Sequence, residues 1–456
     1  MKKFFVSFLG SMAALFGMAQ TPDTTTVVHP DWSRNAVIYE VNVRQFTPEG
    51  TFKAFEKHLP RLKDLGVDIL WMMPIHPISE DGRKGGLGSY YAVADYKGTN
   101  PEFGSIDDFR DLVRAAHDLG MKVIIDWVPN HSGRDNAWVK NHPDWYARDE
   151  KGEMYGPFDW TDVYKFDYSV PEMRAAMIDA LQFWLREADI DGFRADVAGQ
   201  VPVDFWNEAR PALDAVKPGI FMLAEATEPE LTEHAFDMDY NWPMKDLFSA
   251  IAYTSGQYTF EDENGMVRQF PEAHAVDIFA ELEKEAQTYP VDSYRMNMIT
   301  NHDLNSWEGT EFERLGNLQG AFAVLTYTLP GMPLIYTGQE VGLNRALEFF
   351  VKDEAPAWDS NPEVVEFYTT LNNLRHTRPE LAAGIKGAEV EQIPTASPDV
   401  IAFRRGGVLT VANLGSTEQK LFKKAPKLNG AKELFTGATE LPKTLPAGGF
   451  LVFVNP

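Results

Sequence analysis

The sequence predicts an α/β chain: a (β/α)8 TIM barrel with a short excursion after the third strand and a C-terminal all-β sandwich domain. Three observations carry that expectation. Eight short apolar or β-branched runs alternate with amphipathic helical segments from about residue 37, the pattern of a parallel sheet covered on its outer side. The alternation is interrupted once, over 132–168, by a stretch rich in Trp, Tyr, Asp and Gly that is too long for a plain connector. Beyond residue 379 the helical period disappears, and VIAFRR, VLTVANL, KELFTG and FLVFVNP follow as short strands set off by Gly and Pro.

The elements follow in order. Residues 1–19 carry Lys2 and Lys3, an apolar stretch from Phe4 to Phe16 and small residues up to Ala19, the layout of a signal peptide for export to the periplasm or medium. That run is too short to span a bilayer, so no membrane insertion is expected. Residues 20–36 form a leader. The barrel occupies 37–378, with strands in 36–43, 67–73, 121–128, 190–197, 219–226, 234–240, 294–300 and 332–338, each but the last running clearly into a helix-like segment. In the second helix Phe109, Leu112, Val113 and Ala116 share a face, and Gly120 can take the left-handed stop. SVPE at 169–172 matches a capping box with Pro in the first turn, ahead of a buried stripe from Met173 to Leu185. The last helix, 362–378, places Val364, Phe367, Tyr368, Leu371 and Leu374 together, and 379–456 is the β-sandwich domain.

Composition narrows the chemistry. The chain of 456 residues carries 67 acidic against 42 basic residues, a formal charge of −25 that repels phosphate backbones and anionic lipid. No nucleic-acid partner is expected. There are no cysteines, which removes disulfides, thiolate nucleophiles and thiolate zinc sites. HExxH, GxSxG, Walker and GxGxxG motifs are also missing from the sequence.

In a barrel, chemistry belongs to the C-terminal ends of the strands. Here the third strand ends in Asp126-Trp127-Val128-Pro129-Asn130-His131, the fourth in Arg194-Ala195-Asp196, the fifth in Glu225 and the seventh in Asn301-His302-Asp303. Asp196 and Glu225 are one strand–helix–strand unit apart and should crown adjacent strands. Crowded carboxyls titrate apart, one ionised and one protonated, which is the equipment of glycoside hydrolysis. Arg194, on the same side of its strand as Asp196, should hold that carboxyl ionised. Glu225, at the end of IFMLA, should be raised by desolvation, as an acid requires. Asp126 is read as a structural partner orienting Arg194. Trp160, Tyr240, Trp242 and Trp307 stand equally as sugar platforms or core aromatics.

DWVPNH, GFRADV, the Glu of MLAEA and TNHD, in that order, resemble the four signature regions of the α-amylase family of glycoside hydrolases (family 13). GVDILWMMPIHP, SYYAVADYKGTNPEFGS and GMPLIYTGQE add to the resemblance, which covers about residues 37–456. It implies Asp196 as nucleophile, Glu225 as general acid and then base, and Asp303 as the group that grips two sugar hydroxyls. It further implies that His131 and His302 hydrogen-bond the sugar at the cleavage site, that Tyr91 stacks on it, and that Arg194 belongs to the binding set. The implied substrate is an α-glucan and the implied activity α-1,4 hydrolysis of starch, maltodextrin or maltooligosaccharides. A 4-α-glucanotransferase, an α-1,6-acting glucosidase and a non-catalytic glucan-binding relative are the alternatives. No cofactor is implied for the chemistry, and a monomer is the default. The family's structural calcium would draw on Asn130, but the position four after the nucleophile is Gln200 where the family has His. As a retaining pair, the carboxyls of Asp196 and Glu225 should lie ~5–5.5 Å apart.

Overall fold

The computed structural model describes residues 25–262 and 264–456, so the expected signal peptide lies outside the described residues. Eight parallel strands close into a barrel: β1 (Ile38–Val41), β2 (Ile69–Met72), β3 (Lys122–Trp127), β4 (Gly192–Ala195), β5 (Phe221–Ala224), β6 (Met238–Tyr240), β7 (Tyr294–Asn297) and β8 (Met332–Tyr336). The ring shuts where Ile38 of β1 pairs with Leu334 of β8.

Strand parity sorts the residues. Ile38, Ile69, Trp71, Ile124, Phe221, Leu223, Met238, Tyr240, Tyr294, Met296, Met332 and Leu334 form one buried cluster, which fills the barrel. The alternate residues, among them Tyr39, Leu70, Ile125, Phe193 and Met222, belong to the larger core beneath the outer helices. Continuing the inward parity towards the C-terminal ends, the barrel becomes polar, with Glu40, Asp126 and Arg194 wholly buried.

Two sequence expectations change. The helix Pro171–Glu187 begins at its proline, but its N-cap is Val170 and no side chain caps it. Ser169 Oγ instead donates to Asp167 Oδ1 at 2.6 Å, a nearer acceptor outside the helix. Between β5 and β6 the only helix is the single turn Leu231–His234, because the connection is too short for a full crossover helix. Elsewhere the expected left-handed stop forms, with Gly120 at φ +75°, and the same helix starts on a capping box of Ser105 and Asp108 that the sequence reading did not name. The helix Pro362–Thr377 buries Tyr368, Leu371 and Leu374 as expected.

Gly192, the first residue of β4, has φ +148°, and a Cβ there would lie 1.9 Å from the Phe221 carbonyl oxygen of β5. Gly192→Ala is therefore expected to destabilise the fold by about 3 kcal/mol or more, read as a lower urea midpoint, since neither backbone can retreat inside a closed ring.

The excursion is a short hairpin, His131–Gly133 against Val163–Lys165, with a one-turn helix, Ala137–Asn141, between them. It projects from the end of β3 and forms one wall over the barrel mouth. At the C-terminus, a five-stranded antiparallel sheet has the central strands Val400–Arg405, Val408–Asn413 and Phe450–Val454. It faces a two-stranded ribbon, Gln419–Lys420 with Thr444–Leu445, across a core that includes Val411, Leu421, Leu445 and Phe453.

Candidate active site

A cleft of about 460 Å³ opens at the C-terminal mouth of the barrel, within the size range of small-molecule sites. Tyr91, His131, Asp196, Glu225, His302 and Asp303 all line it. Strand register accounts for the central pair. Ala195 of β4 pairs with Ala224 of β5, so the next residue of each strand, Asp196 and Glu225, emerges side by side. The Asp196 amide donates to the Trp127 carbonyl and the Glu225 amide to the Ala195 carbonyl, extending the sheet by one step under both carboxyls.

One guanidinium spans the pair. Arg194 Nη1 lies 3.0 Å from Asp196 Oδ1 and 2.9 Å from Asp126 Oδ1, while Nη2 lies 2.9 Å from Glu225 Oε2. Its Nε donates to the Tyr240 hydroxyl at 3.1 Å. Arg194 is fully buried and lies beneath the cleft rather than on its wall, which corrects the expectation that it contacts the sugar. It also serves both carboxylates, so it does not single out Asp196 for ionisation. Burial first, and then the neighbouring Glu225 carboxylate, push Asp196 well above the usual range despite Arg194.

Glu225 is fixed from a second side, where the Val197 amide donates to its Oε2 at 2.7 Å. To present that N–H, Val197 takes φ +38°, ψ +46°, a left-handed conformation that is strained for a β-branched residue.

The remaining residues form a hydrogen-bonded floor. Asp126 ties its neighbours together: it accepts from Arg194, from Trp71 Nε1 at 3.1 Å and from the Tyr91 hydroxyl at 3.2 Å. Burial outweighs Arg194 and raises Asp126 to about 6. The Tyr91 hydroxyl is also 2.7 Å from His302 Nε2, and Asp303 Oδ1 is 3.5 Å from the same nitrogen. Burial draws His302 downward, but Asp303 and Glu40 outweigh it and set the imidazole at about 9. His131 behaves in the opposite way: burial pushes it down to about 3, leaving a neutral ring edge-on to Trp160 at 5.2 Å.

Of the four aromatics left open, Trp160 and Trp307 line the cleft. Trp307 is 53% exposed on the π-helical turn Leu304–Glu308 and leans on Phe349 at 5.3 Å. Tyr240 is instead buried inside the barrel, and Trp242 packs against that interior. Lys84, Asp159, Asp162, Phe349 and Phe350 join the wall from loops whose sequence carries no strand-end signal. Glu40 is the other residue the motifs do not reveal, and its only trace is a lone carboxylate in the apolar run AVIYEVNV.

The residues present do not fit the implied calcium. Asn130 is buried with its Nδ2 3.3 Å from His131 Nδ1, and Gln200 is exposed. Among the described residues, no three His, Asp or Glu side chains gather as a metal set.

The comparisons agree with this geometry. The alpha-amylase family model (Alpha amylase, catalytic domain) matches residues 22–165 and 141–361. Alpha-amylase MalA of Haloarcula japonica is 29% identical over 85% of this chain and 56% of its own length. The chain thus spans little more than half of that relative, and 64% of a maltogenic alpha-amylase of Bacillus acidopullulyticus that is 26% identical over 77% of this chain. A crystal structure of an alpha-amylase from Lactobacillus plantarum superposes with a TM-score of 0.78 at 30% identity, covering 92% of this chain and 99% of that one. With four signature regions on the expected strand ends of a closed barrel and a family match over most of its length, the chain belongs to the alpha-amylase family of glycoside hydrolases.

Proposed function

We propose that this protein hydrolyses α-1,4-glucosidic bonds of starch, maltodextrin or maltooligosaccharides with retention at the anomeric carbon. The observation that carries the reading is the Asp196–Arg194–Glu225 arrangement on the cleft floor. An Asp196 oxygen attacks the anomeric carbon while Glu225 gives its proton to the glycosidic oxygen, and the bond to the leaving sugar breaks. Glu225 then takes a proton from water, the hydroxide oxygen bonds to the anomeric carbon, and Asp196 leaves as a carboxylate. Asp303 grips hydroxyls of the reacting sugar, with His131, His302 and Tyr91 around it. Export by the N-terminal signal is part of the same reading.

Maltoheptaose is the discriminating substrate. Hydrolysis yields only shorter oligomers whose fresh reducing ends are α-configured by NMR at early times. Oligomers longer than seven units would favour transfer, and β-configured ends would refute a retaining pair.

Trp307 presents an apolar face where a glucan would lie. Trp307→Ala is expected to raise KM for maltoheptaose roughly 3–10-fold, the worth of one aromatic stacking contact, with kcat nearly unchanged in steady-state assays.

A further inference from the structure

Glu40 belongs to none of the signature regions, yet it is wholly buried and reaches the cleft through one side chain. Its Oε1 is 2.5 Å from His302 Nδ1, and its Oε2 accepts the His302 backbone N–H at 3.3 Å. Strand pairing places it between Trp71 of β2 and Tyr336 of β8, so it ties β1 to the loop after β7. The Trp71 ring packs edge-on against the His302 ring at 5.9 Å.

The hydrogen-bond directions around the ring are determined by its neighbours. Asp126 already accepts from Arg194 on one oxygen and from the Trp71 indole on the other, so it acts as an acceptor. The Tyr91 hydroxyl has one proton and gives it to Asp126. The Tyr91 oxygen must then accept from His302 Nε2–H. On the far side Nδ1 faces Glu40 Oε1; burial raises that carboxyl while His302 and Arg194 oppose the rise, and with Glu40 ionised Nδ1 carries the second proton. Both ring nitrogens therefore carry protons, and the cation lies between Glu40 and Asp303.

We propose that Glu40 is a positioning residue for the hydrolysis: its buried carboxylate holds the His302 ring by Nδ1 and keeps Nε2 a hydrogen-bond donor, to the Tyr91 oxygen here and to a sugar hydroxyl that takes its place when substrate binds. The inference rests on the glycosidase reading only for the identity of the group that receives this bond. The charged or titratable groups facing the ring are Glu40 from β1, Arg194 from β4, Asp126 from β3, Tyr91 from the loop after β2, and Asp303 beside it. Among them Glu40 makes the closest contact. With Gln at position 40, an amide oxygen still accepts from Nδ1–H and the ring stays in place, but the compensating charge is gone. The ring then loses its second proton at a lower pH, and once it is neutral Nε2 becomes an acceptor and Tyr91 has to turn its proton from Asp126 to the histidine.

The experiment is ring-¹⁵N NMR of the full chain labelled at its ten histidines, with the His302 signals assigned by their loss in His302→Gln. In the unaltered protein both His302 nitrogens are expected to stay protonated through pH 8. In Glu40→Gln the titration should move down by a unit or more, with Tm measured alongside. On maltoheptaose the same variant should lose roughly 10-fold in kcat, the difference between a charge-assisted and an ordinary hydrogen bond, with KM little changed. The alkaline limb of its pH profile should move to lower pH. A neutral His302 at pH 7 in the unaltered protein overturns the proposal, and this arm stands even if Glu40→Gln fails to fold. A folded Glu40→Gln with an unchanged titration overturns it too, as does one with unchanged kcat and alkaline limb. If no glucan is cleaved, the NMR arm still decides the role of Glu40, while the hydrolase reading fails on its own.

Discussion

Asp196→Asn is expected to lower kcat on maltoheptaose by at least ~10⁴-fold while leaving the fold intact. The amide occupies the same volume and its oxygen can still accept from Arg194 Nη1, the contact now made at 3.0 Å. What it loses is an oxygen able to bond the anomeric carbon and later depart as a carboxylate. Stability should hold or rise. Burial and Glu225 push the Asp196 carboxyl well up, so its folded-state value stands above the ordinary 3.8. The ionised form therefore costs the folded state free energy as pH rises from 3.8 through the elevated value, and the amide removes that cost. The measurement is steady-state kinetics beside a melting curve at pH 7. Activity within tenfold of the unaltered enzyme would assign the attack to another group.

Glu225→Gln is expected to cost ~10²–10⁴ in kcat on natural glucans, the usual worth of positioned proton transfer. The substituted amide can keep the 2.7 Å bond from the Val197 N–H, so geometry alone does not explain a loss of that size. Leaving-group chemistry separates the two carboxylates. From a maltosyl fluoride the fluoride ion departs without protonation, so Glu225→Gln should form the glycosyl-enzyme from it at close to the normal rate and then stall. Azide, which needs no base, should restore turnover and yield a maltosyl azide. Asp196→Asn should gain from neither reagent. Mass spectrometry of the quenched enzyme reads the covalent adduct, and failure of both rescues in a folded Glu225→Gln would remove it from the acid–base role.

Much of the barrel was legible because a parallel strand buried on both faces must be apolar along its whole length, as in VDILWMM and MKVIIDWV. Polar residues at the ends of such strands then have no packing reason to be there, and Asp196, Glu225, His302 and Asp303 stood out on that ground. Local chemistry was less decisive wherever two acceptors competed. Ser169 had the sequence of a cap, but Asp167 captured its hydroxyl. Tyr240 and Trp307 were indistinguishable as aromatics. Only the structure sends the first into the barrel under Arg194 and the second to the rim of the cleft.

The sequence by itself determined the order of the strands and most of the helices and which carboxylates crown the barrel mouth, because these follow from apolar runs and a helical period of 3.6 along one chain. The tertiary structure alone decided who meets whom across the ring. Glu40 finds His302 from 262 positions away, and Arg194 divides its guanidinium between Asp196 and Glu225 instead of serving one. Those meetings depend on the stagger of eight strands closing on themselves. Closure is a property of the whole ring, and no single segment encodes it.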